Sequence, residues 1–264
     1  MCPTPIGNLD DVTLRVIAAL SDADVVACED TRHTRILLER HGISARLTSL
    51  HEHNERTRAK ELAARIAGGE VVALVCDAGT PLVSDPGFEL VRECLEEELP
   101  VEVLPGPSAA VTALVLSGLP AERWRFVGFL PRTRGELQRL LSDAPETLIA
   151  YESPRRLAGT LELLAEGDPD RRVAVCRELT KLHEEVRRGS AAELAEHYRE
   201  HPPRGEIVLV CAAAPPGTAS REHALAALRQ LIGAGAKARP AAAAVAGLTG
   251  VGANELYRAL TADR

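Results

Sequence analysis

The run Val71-Val72-Ala73-Leu74-Val75-Cys76 passes directly into Asp77-Ala78-Gly79-Thr80-Pro81-Leu82-Val83-Ser84-Asp85-Pro86-Gly87. A short apolar run rich in β-branched residues predicts a strand. The two glycines and two prolines behind it predict a loop, and Phe88 to Leu95 then resumes with helical spacing. The same alternation extends outward in both directions. Strands are predicted at Asp24 to Cys28, Val101 to Leu104, Arg125 to Gly128, Thr147 to Tyr151, Arg172 to Cys176 and Glu206 to Cys211. Helices are predicted at Thr13 to Leu20, Thr31 to Arg40, Glu55 to Ala67, Ser108 to Leu116, Arg134 to Leu141 and Pro154 to Leu164. Strands alternating with amphipathic helices read as an α/β fold.

Two breaks divide this pattern. Ser117-Gly118-Leu119-Pro120 interrupts it once, and Ala212-Ala213-Ala214-Pro215-Pro216-Gly217 reads as a linker into an alanine-rich helical tail. The expected domains are 1–118, 119–214 and a helical appendage, 215–264. Within the appendage, helices are expected at Glu222 to Ile232, Pro240 to Leu248 and Ala253 to Leu260. This is either a packing element or a helix-turn-helix module, and its few basic residues favour packing.

In open α/β sheets ligands sit where loops gather beyond the carboxyl ends of the strands. Here those loops are Asp77 to Gly87 and Pro105-Gly106-Pro107-Ser108-Ala109-Ala110, in which glycines permit close backbone approach and Ser108 is placed to cap a helix. Neither loop is G-x-G-x-x-G, and no G-x-x-x-x-G-K-[ST] occurs, so the expected ligand carries no pyrophosphate. A methionine-derived sulfonium nucleoside meets that description. No H-E-x-x-H or comparable set points to a metal.

Several polar clusters have two readings each. Glu29-Asp30-Thr31-Arg32-His33 follows a strand and opens a helix, so it is an N-cap or a functional rim. His51, His53, Asn54, Glu55 and Arg56 are a solvated helix start or a substrate contact. Arg123 to Arg139 holds five arginines against Glu136 alone, a solvated helix face or a phosphate-binding surface with Arg132 and Arg134 at its centre. Tyr151-Glu152-Ser153-Pro154-Arg155-Arg156 and Arg177-Glu178-Leu179-Thr180-Lys181 repeat the theme of a polar strand end.

The chain's 264 residues, 45% hydrophobic and 26% charged, suit a large core in two domains. A net charge of −7 means that any RNA footprint must be local. No apolar run is long enough to span a membrane, and Met1-Cys2-Pro3-Thr4 has no secretory character, so a cytoplasmic address is expected. Six cysteines without a C-x-x-C pair read as small core residues.

Taken in order, the segments Thr4-Pro5-Ile6-Gly7-Asn8-Leu9, Glu29-Asp30-Thr31-Arg32, Asn54-Glu55-Arg56, Asp77-Ala78-Gly79-Thr80-Pro81 with Ser84-Asp85-Pro86-Gly87, Pro105-Gly106-Pro107-Ser108-Ala109, Gly128-Phe129-Leu130-Pro131, Tyr151-Glu152-Ser153-Pro154 and Arg177-Glu178-Leu179-Thr180-Lys181 span nearly the whole chain. Together they resemble the small-subunit ribosomal RNA ribose methyltransferases of the tetrapyrrole-methylase-like, class III superfamily. The resemblance implies a two-domain α/β fold with S-adenosylmethionine in a cleft between the domains, a homodimer, and a decoding-centre cytidine of 16S rRNA, within the small ribosomal subunit, methylated at its 2′-oxygen. It implies cofactor contacts at Pro5, Gly7, Asp77, Gly79, Thr80, Pro81, Val83, Ser84, Ser108 and Ala109, joined by Tyr151, Glu152 and Arg177.

The candidate RNA contacts are Arg32, Asn54, Arg56, Arg132, Arg134 and Arg155. Candidate general bases for a ribose hydroxyl are Glu29, Asp30, Asp77 and Glu152. Thr80 stands where the related tetrapyrrole methylases carry the aspartate of Gly-Asp-Pro. Three departures accompany the likeness. Arg155 stands where the family commonly has histidine. Val251-Gly252-Ala253 lacks the polar residues often found there. The family also carries an apolar strand ahead of its first motif, so the first domain is expected to lack it or to have it upstream of Met1. Competing readings are a methylase of a tetrapyrrole intermediate and a non-catalytic RNA-binding relative.

Overall fold

The computed structural model describes residues 1–142, 144–214 and 221–262. Part of the 212–217 linker therefore lies outside the described residues. The chain forms two compact units, Met1–Leu116 with Cys176–Glu185, and Ser117–Val175 with Val186–Arg264.

The first unit contains α1 (Leu14–Asp22), β1 (Val25–Cys28), α2 (Thr31–Arg40), β2 (Leu47–Ser49), α3 (Glu55–Ala67), β3 (Val72–Leu74), α4 (Phe88–Glu96) and α5 (Ala109–Ser117). Its strands form a parallel sheet in the order β2-β1-β3. Parallel connections place helices on both faces, so the middle strand must be apolar on both sides. All four residues of β1 are buried. Val26 and Cys28 pack with Val16, Leu20, Leu37 and Leu38 on one face, while Val25 and Ala27 pack with Leu50, Leu62, Leu74 and Leu90 on the other.

The stretch Val101 to Leu104 is not a strand. Among the described residues its backbone bonds run to Met1 alone, Met1 N to Glu102 O and Leu104 N to Met1 O, and Val101 and Val103 are exposed. Cys2 N in turn donates to Leu74 O at 2.8 Å, so the opening residues run beside β3.

The second unit contains β4 (Trp124–Phe129), α6 (Arg134–Ser142), β5 (Thr147–Glu152), α7 (Pro154–Gly167), β6 (Arg172–Arg177), β7 (Glu185–Ser190), α8 (Ala191–Glu200) and β8 (Ile207–Cys211). The sheet order is β4-β5-β8-β6-β7, with β5 parallel to β4 and antiparallel to β8. Leu157, Leu161 and Leu164 of α7 and Leu194 and Tyr198 of α8 pack with Leu148, Val173, Val175 and Leu209. Leu161 is wholly buried, so its truncation to alanine would cost about 2–5 kcal/mol. Buried Arg171 ties two distant segments together, donating to Leu141 O at 2.6 Å and Ala212 O at 2.8 Å.

Three further helices, α9 (Arg221–Gly233), α10 (Ala238–Thr249) and α11 (Ala253–Ala262), share a small core of their own, including Leu228, Val245 and Leu256. Gly250 ends α10 in the left-handed conformation, as the Thr249-Gly250 turn requires.

Candidate functional site

Three loops of the first unit are stitched into one surface. Thr4 and Gly79 exchange both backbone bonds, at 2.8 and 3.0 Å, and the Thr4 hydroxyl donates to Cys76 O at 2.9 Å. The Thr80 hydroxyl donates to Pro107 O at 3.1 Å, which ties the loop behind β3 to the loop that opens α5. A Cβ on Gly106 would lie 2.5 Å from the Pro3 ring, so that loop needs glycine for its close approach. Pro5, Gly7, Gly79, Thr80, Pro81, Ser108 and Ala109 thus belong to one connected set of loops.

A fourth segment closes on the same set. Asn8 N donates to Thr180 Oγ1 at 3.0 Å, and a Cβ on Gly7 would meet Lys181 Cγ at 2.5 Å, Thr180 Oγ1 at 2.7 Å and Leu179 O at 2.9 Å. Arg177 stands at the start of this segment, its Nε donating to Glu185 at 3.1 Å.

Backbone strain is concentrated in these loops. Leu82, Ser84, Glu178 and Thr180 take up positive φ values of 73°, 71°, 51° and 65°. Non-glycine residues held there cost about 1–3 kcal/mol each and gather at functional sites. Val83 and Ser84 are exposed on the strained turn, whose bonds are Val83 N to Thr80 O and Ser84 N to Leu82 O.

Carboxylates line the strand ends of this unit. Asp30 caps α2 by accepting from Arg32 N at 2.8 Å, and it also ion-pairs with the Arg32 guanidinium. Those bonds hold its carboxyl well below the usual range. Asp77 accepts from Asp30 N at 3.1 Å. Burial pushes Glu29 up, and the charge of Asp77 pushes it further. Asp85 is raised to about 6 by burial, opposed by a bond to the Cys76 thiol and reinforced by the charges of Glu29 and Asp77. Asp85 was not among the residues picked from sequence as a base. Its environment comes from the folding of loop on strand end, which spacing alone does not show.

In the second unit Glu152 points inward. Its side chain is 0% exposed, accepts from Ser153 N and the Thr160 hydroxyl, both at 2.7 Å, and lies 3.5 Å from Arg156. Arg156 donates to Leu130 O at 3.1 Å and to Pro131 O. Neighbouring Tyr151 packs edge-on against Phe126 and Phe129.

The candidate RNA residues separate in the same way. Asn54 is committed to its own loop, accepting from His51 N at 2.9 Å and donating to Ser49 O. Arg134 pairs with Glu166 and Arg32 with Asp30. Arg56, Arg132 and Arg155 are exposed and make no ion pair among the described residues.

The sequence pattern of the family described as Tetrapyrrole (Corrin/Porphyrin) Methylases matches residues 2–195. A ribosomal RNA small subunit methyltransferase I from Mesorhizobium japonicum is 47% identical over 97% of this chain and 89% of that protein. The chain belongs to this methyltransferase family. The methyltransferase of the same name from Escherichia coli O157:H7 is 44% identical over 97% of the chain and 92% of its own length. Among solved structures, a cobalt precorrin-4 methyltransferase aligns with a TM-score of 0.62 at 17% identity, over 80% of this chain and 92% of its own. A uroporphyrin-III-C-methyltransferase from Thermus thermophilus aligns at 0.56 and 24%, over 78% and 90%. These structures share the fold. The methyltransferase is therefore an enzyme that uses a methyl donor.

Proposed function

We propose that the enzyme transfers a methyl group from S-adenosylmethionine to the ribose 2′-oxygen of a decoding-centre cytidine in 16S rRNA, in the cytoplasm. The observation that carries this reading is the 47% identity to an rRNA methyltransferase across 97% of the chain. The stitched loops support it. They present backbone polar groups and a strained turn without a glycine-rich phosphate cradle, which suits a nucleoside lacking pyrophosphate.

Pro5, Gly7, Asp77, Gly79, Thr80, Pro81, Val83, Ser84, Ser108, Ala109 and Arg177 of the first unit are the residues assigned to the cofactor, whereas Glu152 of the second, fully buried with both oxygens bonded inside its own unit, is not a contact. When bound, the cofactor supplies a methyl carbon already activated by its sulfonium. The working division is a cofactor-loop half, 1–118, a second α/β half, 119–214, and a helical appendage, 215–264, in a homodimer.

The residues of the chain are left with two tasks, aligning the hydroxyl for in-line attack and taking its proton. Asp30 is the poorest base of the candidates because Arg32 stabilises its ionised form. Both oxygens of Glu152 are occupied. Asp85, at about 6, lies close to the range where a general base works best at neutral pH, and burial raises Glu29 beside it. The hydroxyl proton is assigned to this pair, and Arg56, Arg132 and Arg155 to the RNA backbone. With a negative net charge, the assembled small subunit is the expected substrate ahead of free RNA.

The test is transfer of labelled methyl to small subunits lacking the modification, with the labelled nucleotide mapped to its 2′-oxygen. Label on another acceptor, or none while calorimetry shows cofactor binding, overturns the reading. Asp85→Asn together with Glu29→Gln is expected to lower turnover by about 10²–10⁴-fold without abolishing cofactor binding. Unchanged turnover would leave alignment as the whole mechanism.

A further inference from the structure

The chain has one tryptophan, three tyrosines and three phenylalanines, and three of these rings meet where β4 runs beside β5. In a regular strand Phe126 and Phe129, three residues apart, would point to opposite faces. The register of β4 against β5 breaks between them, and Gly128 there adopts φ +65°. Both rings consequently meet Tyr151 edge-on, at centroid distances of 4.9 and 5.5 Å. A bulge re-aims a side chain in just this way, and bulges are common beside active sites.

Phe129 nevertheless remains 64% exposed. It is held in water by several separate constraints. Tyr151 braces its ring, and the two residues that follow it are gripped through their carbonyls by Arg156, which is itself held by fully buried Glu152. The chain then runs from Pro131 into Arg132, while the adjacent β5 runs through Ser153-Pro154 into Arg155. Both arginines are exposed and make no ion pair among the described residues.

An exposed, braced ring at a sheet end where two unpaired arginines follow the adjacent strand ends suits single-stranded nucleic acid, because the ring can stack a base while guanidiniums take phosphates. An apolar peptide would leave the positive charge of that sheet end without an acceptor. Resting on the rRNA reading above, we infer that Phe129 is a stacking shelf for an unstacked base next to the methylated nucleotide, with Arg132 and Arg155 taking the flanking phosphates. Glu152 and Arg156 are then positioning residues that hold the shelf.

The test uses the full chain and two readouts. In methyl transfer to small subunits, Phe129→Ala should raise KM about ten- to hundredfold and leave cofactor affinity by calorimetry unchanged. Phe129→Tyr should restore KM, whereas Phe129→Leu, apolar without a π face, should not. Independently, a short single-stranded oligoribonucleotide carrying 5-iodouridine should photo-cross-link to the peptide containing residue 129, and lose that adduct in Phe129→Ala. Unchanged KM in Phe129→Ala, rescue by leucine, or an adduct confined to other peptides overturns the shelf. A change of oligomeric state in Phe129→Ala, seen by sedimentation, also overturns it by assigning the ring to a second copy. Wild-type protein that methylates no small-subunit RNA is a failure of the function itself, and is distinct from an active enzyme indifferent to Phe129.

Discussion

Asp85 and Gly7 show what single positions in the stitched loops contribute. The folded chain holds the Asp85 carboxyl at about 6 against an ordinary 3.8, so the native state binds that proton more tightly than the unfolded state does. The sign follows directly. Nothing is lost below about pH 4, where both states are protonated, and stability falls as pH rises through 6 because the native state must ionise a half-buried group beside other carboxylates. Asp85→Asn removes that penalty. Urea midpoints should coincide for variant and wild type near pH 4 and separate in favour of the variant above pH 6. Gly7 has no such titration but has a hard steric limit. A methyl group there would sit 2.9 Å from the backbone oxygen of Leu179, which cannot swing aside as the Lys181 stem can. Gly7→Ala should cost about 1–3 kcal/mol in denaturant melts and weaken binding of the methyl donor.

At the level of elements, α4 depends on a cap from another helix. Its own N-cap is Gly87, which has no side chain to offer, and Glu55 at the start of α3 accepts from both Gly87 N and Glu89 N, at 2.8 and 2.9 Å. Glu55→Ala should therefore destabilise the protein by about 1–3 kcal/mol by leaving those amides unpaired. Glu55→Gln, which keeps an acceptor oxygen, should recover much of the loss, as urea titration will show. Elements were legible where they had to bury a regular face. Both β1 and β3 are apolar runs because helices cover them on two sides, and α2 and α3 begin where a polar cap precedes helical spacing. The strand β7 was missed because it is the outer strand of its sheet and carries Glu185, Arg187 and Arg188 instead of an apolar alternation. Helix α8 had a readable signal that went unused, the Ser190-Ala191-Ala192-Glu193 capping box, present here with both reciprocal bonds. Val101 to Leu104 failed in the other direction, since apolar residues do not make a strand where, among the described residues, only Met1 provides backbone partners. For the site, the loop motifs were visible in the sequence. The inward turn of Glu152 and the raised Asp85 were not, because both depend on residues brought together by folding.

The whole molecule keeps all six of its cysteines free and buried. Burial raises the thiols of Cys2, Cys28, Cys76, Cys94 and Cys211, which suppresses the reactive thiolate. A thiol reagent should find the native protein almost inert at neutral pH and titrate all six groups after unfolding in guanidinium. Fast reaction of a native thiol would show local opening of the element that carries it. The order of strands in the second sheet bears on how the polypeptide is made. Its middle strand, β8, is the last to be synthesised, while its neighbours β5 and β6 are translated earlier. At about 5–20 residues per second, several seconds separate the emergence of β5 from that of its central partner. During that interval the nascent chain exposes unpaired strand edges, a state prone to misassembly and open to holding by chaperones. An enzyme that methylates ribosomal RNA thus depends on the ribosome finishing nearly all of the second unit before that unit can close.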